Sequence, residues 1–122
     1  MNVTNKRILD AERLRQIPAQ FSWIDHRLVR EHYFEKADVC AWTLYLFLLC
    51  VADARGLSYY AEATLCRRLR LPVTRLAQAR RDLIALDPIA YDPPLYQVLS
   101  LPGAVPVAVH LERLRASLEG RS

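Results

Sequence analysis

Glycine is scarce in this chain, three in 122 residues, and that scarcity removes a class of chemistry. A loop that cradles phosphates on its backbone, or a sharp turn that exposes a nucleophile, needs glycines close together. Gly56, Gly103 and Gly120 stand far apart. Cysteine is equally sparse: Cys40, Cys50 and Cys66 are odd in number and form neither a CxxC pair nor a Cys/His spacing suited to zinc. On one helix Cys40 and Cys50 would stand about 15 Å apart at roughly 1.5 Å per residue, too far to bridge. All three are read as core thiols. His26 and His32 have Asp25, Glu31 and Glu35 nearby, but an i, i+6 spacing puts them on different faces of a helix, a solvated arrangement rather than a metal cluster. The longest apolar run, residues 39–52, is 14 residues flanked by Asp38 and Asp53, short of the roughly 20 that span a bilayer. The opening MNVTNKRILDAERLR is charged and lacks the apolar core of an export signal. These absences predict a cytoplasmic protein with no membrane segment, no metal, no cofactor and no catalytic centre, hence not an enzyme.

What is present is a hydrophobic share of 52%, enough for one core with modest extensions, and an uneven charge. Between Glu62 and Asp82 lie six arginines (Arg67, Arg68, Arg70, Arg75, Arg80, Arg81) and two acids, so this segment alone accounts for the net charge of +4. A basic stripe of this kind is the footprint of a polyanion-binding surface; it sets affinity rather than sequence choice.

Periodicity places that stripe on helices. Residues 5–16 have helical composition but only Ile8, Leu9 and Leu14 as apolar anchors, so the arm needs a partner. Ser22-Trp23-Ile24-Asp25 resembles a capping box that opens a helix to about residue 35, with Ile24, Leu28 and Phe34 facing inward. Asp38 caps a buried core helix running to about residue 54, where Gly56 supplies the left-handed stop. Leu57-Ser58-Tyr59-Tyr60 is a short strand. Residues 61–70 place Leu65 and Leu69 at i, i+4; residues 71–73 turn; Thr74 caps a helix whose Leu76, Ala79 or Arg80, Leu83 and Leu86 point to the core. A strand pair follows, residues 89–91 and 95–101, joined by the rigid tip Asp92-Pro93-Pro94. Past residue 102 a linker leads to an amphipathic stripe, Leu111, Leu114 and Leu118.

The order of these elements carries a resemblance. The core helix AWTLYLFLLCVADARG, the strand LSYY, the helices ATLCRRLRL and TRLAQARRDLIALD and the strands IAY and LYQVLSL together resemble the winged helix-turn-helix superfamily. Among its branches they look most like the DNA-binding domains of plasmid replication initiators, phage primosomal proteins and small mobile-element regulators. The match covers about residues 38–101. It implies a mostly α fold with a small β-wing for the winged domain over 37–101, to which the patterning outside the match adds a helical arm over residues 1–36 and a linker with a C-terminal helix over 102–122. It implies a double-stranded DNA partner, in replication initiation or transcriptional control, with the third helix in the major groove.

On that helix Arg75, Gln78 and Arg81 are the base-edge candidates, since Arg pairs with guanine and Gln with adenine in a two-pronged way. Arg67, Arg68, Arg70 and Thr74 are assigned to phosphates. Arg80 sits beside the core stripe, within reach of Asp82, Asp87 or Glu62. Tyr59 and Tyr60 could stack on nucleic-acid bases, though packing on the core helix is the preferred reading. The family's wings usually carry Lys or Arg at the tip; here the tip is acidic, which favours a wing that stays off DNA or contacts protein. Leu111, Leu114 and Leu118 are assigned to a homodimer contact. The competing expectation is a winged-helix interaction module inside a larger nucleoprotein or enzyme complex.

Overall fold

The computed structural model describes residues 6–103 and Arg115. Its centre is helix α2 (Val39–Val51), which opens as expected: the Asp38 carboxylate accepts from the Ala41 N–H at 3.2 Å. Ala41, Leu44 and Leu48 are fully buried. The helix ends earlier than expected, at extended Ala52, and Gly56 is not its stop. Asp53 instead folds the next turn, accepting the Arg55 and Leu57 N–H groups at 2.8 and 2.9 Å. Gly56 (φ +84°) serves the close approach of two strands: its carbonyl accepts the Val98 N–H at 2.8 Å, and a Cβ there would meet Val98 O at 2.5 Å.

Strand β1 (Leu57–Tyr59) is followed by α3 (Glu62–Leu69), α4 (Val73–Leu86), β2 (Ile89–Asp92) and β3 (Leu95–Val98). The α3–α4 joint is tight. Arg70 takes a left-handed φ of +57°, the Leu71 N–H bonds back to Cys66 O at 3.0 Å, and Pro72 cannot continue the helix. Thr74 does not cap α4, contrary to expectation. Pro72 occupies the cap position with ψ 157°, its carbonyl accepts the Leu76 N–H at 3.0 Å, and Thr74 lies inside the first turn. Leu76, Ala79 and Leu83 are buried as their spacing requires, while Leu86 is half-buried.

The antiparallel sheet has the order β1-β3-β2. β2 and β3 pair from Ile89↔Val98 to Asp92↔Leu95, so the turn is the two residues Pro93-Pro94, joined by a cis peptide. Tyr96 on the central strand is 1% exposed and, with Ile89, closes the core beneath α4. The molecule is therefore a helical body with a small three-stranded sheet at one edge.

Both predicted N-terminal helices are corrected. Within residues 6–16 only the 3-10 turn Ala11–Arg13 forms, capped by Asp10. Ile8, Leu9 and Leu14 are all exposed, so no packing offsets the cost of nucleating a helix. Residues 6–26 thus hold no α-helix, and the N-terminal arm becomes helical only from Arg27. The second expected helix shrinks to α1 (Arg27–Arg30) and a separate 3-10 turn, Tyr33–Lys36, divided by His32 at φ +61°. Ser22 caps nothing there; its hydroxyl donates to Leu49 O at 2.8 Å, while Asp25 accepts the Arg27 N–H at 2.9 Å and starts the turn. Leu28 faces inward at 2% exposure, but Ile24 and Phe34 do not. Arg27 also donates to Pro102 O at 2.8 Å and Leu101 O at 3.3 Å, tying α1 to the end of the sheet region. Leu111, Leu114 and Leu118 lie outside the described residues.

Candidate nucleic-acid interface

The six arginines of the basic segment divide by their surroundings. Arg80 is spent inside the fold: its guanidinium pairs with Glu62 of α3, donates to the Tyr96 hydroxyl at 3.0 Å and lies 4.5 Å from the Tyr91 ring centre. Of the three acids expected to compete for it, Glu62 wins because α3 and α4 pack together and bring it alongside. Burial pulls the Arg80 pKa down, but the bonds to Glu62 and Tyr96 outweigh it and leave the group more firmly cationic. Among the described residues no other arginine of the six forms a salt bridge.

Arg67, Arg68 and Arg70 are exposed around the end of α3. Arg68 also lies 5.7 Å from the Phe47 ring centre, a cation–π contact that the sequence spacing did not reveal. Phe47 in turn meets Tyr60 edge-on at 5.1 Å, so Tyr60 packs on α2, while Tyr59 is 71% exposed. Thr74 is exposed in the first turn of α4.

The three base-edge candidates are less free than their spacing suggested. Arg75 reaches back toward α2, its Nη1 standing 3.7 Å from Cys40 Sγ. Gln78 Nε2 donates to Asp82 Oδ1 at 2.7 Å, and its Oε1 accepts from Arg81 Nη2 at 2.9 Å. Gln78, Arg81 and Asp82 thus form a chain along successive turns of α4, the i, i+3 and i, i+4 geometry that helical neighbours favour. The spacing of positions 78, 81 and 82 in the sequence already carries that geometry. The amide still has one N–H and one lone pair uncommitted, enough in number for a two-pronged contact.

Asp92, beside Pro93 and Pro94, is exposed at the hairpin tip. Among the described residues no group of three His, Cys, Asp or Glu side chains could hold a metal ion. His32 bonds to Glu35 at 3.2 Å rather than sharing a helix with His26. Of the thiols only Cys40 is buried; Cys66 is half-buried and Cys50 exposed, which corrects the reading of all three as core residues. No described helix is long and apolar enough to cross a membrane.

Comparison with protein-family models, with curated proteins and with solved structures found no match to this chain.

Proposed function

We propose that this chain is a winged helix-turn-helix protein that binds double-stranded DNA without catalysing a reaction, acting in the cytoplasm in replication initiation or transcriptional control of a plasmid, phage or other mobile element. The observation that carries the reading is the exposed set Arg67, Arg68, Arg70 and Arg81 on α3 and α4, while Arg80 alone of the six is consumed by a carboxylate. The element order helix, strand, helix, helix, hairpin and the sheet order β1-β3-β2 support the winged reading. In it α4 enters the major groove and α3 approaches the phosphates. Asp92 would be repelled there, so the hairpin tip stays off the duplex.

Titration against a random 30-base-pair duplex from low to physiological salt tests the reading. Four or five arginines displacing counterions give a log–log slope of about −4. No binding at low salt ends it. A second reading, an interaction module within a larger complex, is favoured by the acidic, proline-built tip and by the apolar outer face of α2; it predicts that absence of binding.

A further inference from the structure

Helix α2 has no charged residue in thirteen and one polar one, Thr43, whose hydroxyl is turned back to Val39 O at 2.8 Å. A helix that is apolar all round belongs in an interior. Only half of α2 is in one. Cys40, Ala41, Leu44, Tyr45 and Leu48 are buried in the core, with α4 against this helix, while Val39 is 74% and Leu46 53% exposed on the other side. Val39, Trp42, Leu46 and Leu49 recur at intervals of three, four and three, the seam of a helix pair.

The seam is part of a larger face. With Ile24 and Phe34 it borders a hollow of about 270 Å³ that no charged residue lines among those described. Tyr45 and Leu49 also line a second hollow, of about 430 Å³, rimmed by Phe21 and Trp23 on the side of the seam and by Asp53 and Arg55 beyond it. Phe21, Trp23, Ile24, Phe34, Val39 and Leu46 each expose 45% to 74% of their surface. At roughly 150–250 Å² for a large aromatic side chain and somewhat less for an aliphatic one, they present on the order of 600 Å² of apolar surface. A stable pair buries about 800 Å² on each partner; these six side chains supply most of that, and the half-buried Trp42, Thr43 and Leu49 of the seam add to it.

We propose that this face is a two-fold interface between two copies of the chain, with α2 packed against α2 of the second copy. A two-fold pair must present one patch to itself, and a seam without charge suits that, whereas a partner chosen by charge would find no handle in it. Nucleic acid does not suit the seam, which no described cation lines, and Arg55 of the second hollow has the Asp53 carboxylate in the same lining. The pairing uses the side of α2 away from the core and from α4, so it leaves the exposed arginines of α3 and α4 open.

Both tryptophans of the chain, Trp23 and Trp42, lie on this face and report on it. Sedimentation of the full chain without DNA at tens of micromolar is expected to give twice the 14.1 kDa chain mass, and dilution to shift tryptophan emission to the red. Leu46→Glu should give the single-chain mass and red emission at every concentration, with unchanged far-UV circular dichroism. Ile84→Glu, on α4, should keep the double mass. If Leu46→Glu loses its helical signal, Val39→Lys at the more exposed position provides the same reading.

A wild-type chain of single mass overturns the proposal: concentration-independent blue emission would assign the face to the chain's own residues 104–122, and red emission to a different protein. A folded Leu46→Glu or Val39→Lys that still pairs overturns it as well. No DNA enters these measurements, so their outcome is independent of the duplex-binding reading.

Discussion

The Arg80 guanidinium donates to the Tyr96 hydroxyl at 3.0 Å, and through that bond α4 is fastened to the central strand of the sheet. Glu62 holds the same guanidinium from α3, and Tyr91 lies under it at 4.5 Å. One side chain therefore joins three elements. Replacing it strands a buried phenol and frees the exposed Glu62 carboxylate, whose contact solvent weakens; a hydrogen bond to a charged group is worth about 1.5–3 kcal/mol. Arg80→Ala should lower stability by roughly 2–3 kcal/mol in urea denaturation, and Arg80→Lys, which cannot fork to both partners, by about half of that. Neither change should alter the salt slope of duplex binding, since Arg80 is not on the exposed set.

Gly56 and Gly103 both have positive φ, +84° and +81°, but they differ in what surrounds them. A Cβ at position 56 would stand 2.5 Å from a backbone oxygen, Val98 O, which also belongs to the β1–β3 junction and cannot swing away. At position 103 the nearest atom is Arg27 Nη1 at 3.7 Å, an ordinary contact. Gly103→Ala should cost about 1 kcal/mol, the left-handed penalty alone. Gly56→Ala should cost at least about 3 kcal/mol, because strand separation adds to that penalty. Equal melting temperatures for the two variants would contradict this account.

The titrating groups set opposite limits on the pH range of stability. Asp53 is held below its ordinary value of 3.8 by the Leu57 and Arg55 N–H groups, and Asp25 by Arg27. A depressed carboxylate stabilises the fold above the unfolded pKa, and that contribution is lost as pH falls through the folded one. Burial raises Tyr45 and Tyr96 above 10.0, against the pull of Arg80 in the second case. A raised phenol gives stability that is intact below pH 10 and lost as pH climbs toward the folded pKa. Chemical denaturation should show a plateau through neutral pH, with a decline below about pH 4 and another above about pH 10. Spectrophotometric titration should resolve two of the six tyrosines ionising late, and Asp53→Asn should lessen the acid decline.

The legible part of this fold is the part where periodicity and capping agree. Asp38 with the run behind it gave α2, the leucines at 65, 76 and 83 gave α3 and α4, and the proline tip gave the hairpin, all found close to the expected places. The N-terminal third is not legible for a physical reason: Ile8, Leu9, Leu14 and Ile24 have helical neighbours but are exposed, and composition cannot report a missing partner. Ser22 had the chemistry of a cap, yet its hydroxyl was taken by Leu49 O, a contact 27 residues away. The site divides the same way. Charge counting located the basic segment, but Arg75 turning to Cys40 and Gln78 held by Asp82 are consequences of packing and of an i, i+4 pair.

Those contacts sharpen what substitution should do to duplex binding. Arg67→Ala with Arg68→Ala should weaken binding to all sequences alike and flatten the salt slope by one or two units. Gln78→Ala should relax base preference at one or two positions with non-specific affinity nearly unchanged. Asp82→Asn keeps the bond to Gln78 while removing a negative charge, so it should raise non-specific affinity and steepen nothing in sequence choice. Binding to a randomised duplex pool and to its selected winner separates these effects. If Gln78→Ala and the double arginine variant behave identically, α4 does not lie in the groove.

Two helices end on residues that dislike their own backbone, and the two endings should respond differently to the same change. Arg70 closes α3 at φ +57° and Asp87 closes α4 at φ +84°, each in the left-handed region that costs a residue with a Cβ about 1–2 kcal/mol and glycine almost nothing. Either could be glycine on structural grounds. Asp87 offers only its backbone N–H, to Leu83 O and Ile84 O, and makes no salt bridge among the described residues. Asp87→Gly should therefore raise stability by roughly 1 kcal/mol and slightly strengthen duplex binding through the lost negative charge. Arg70→Gly should raise stability by a similar amount, yet it removes a cation assigned to phosphate, so affinity should fall and the salt slope shrink by about one unit. That opposition between stability and binding at position 70, absent at 87, is what a residue retained for contact rather than for the fold would give. Thermal melts paired with salt titrations of both variants measure it, and an Arg70→Gly protein that is more stable and binds duplex unchanged would remove Arg70 from the interface.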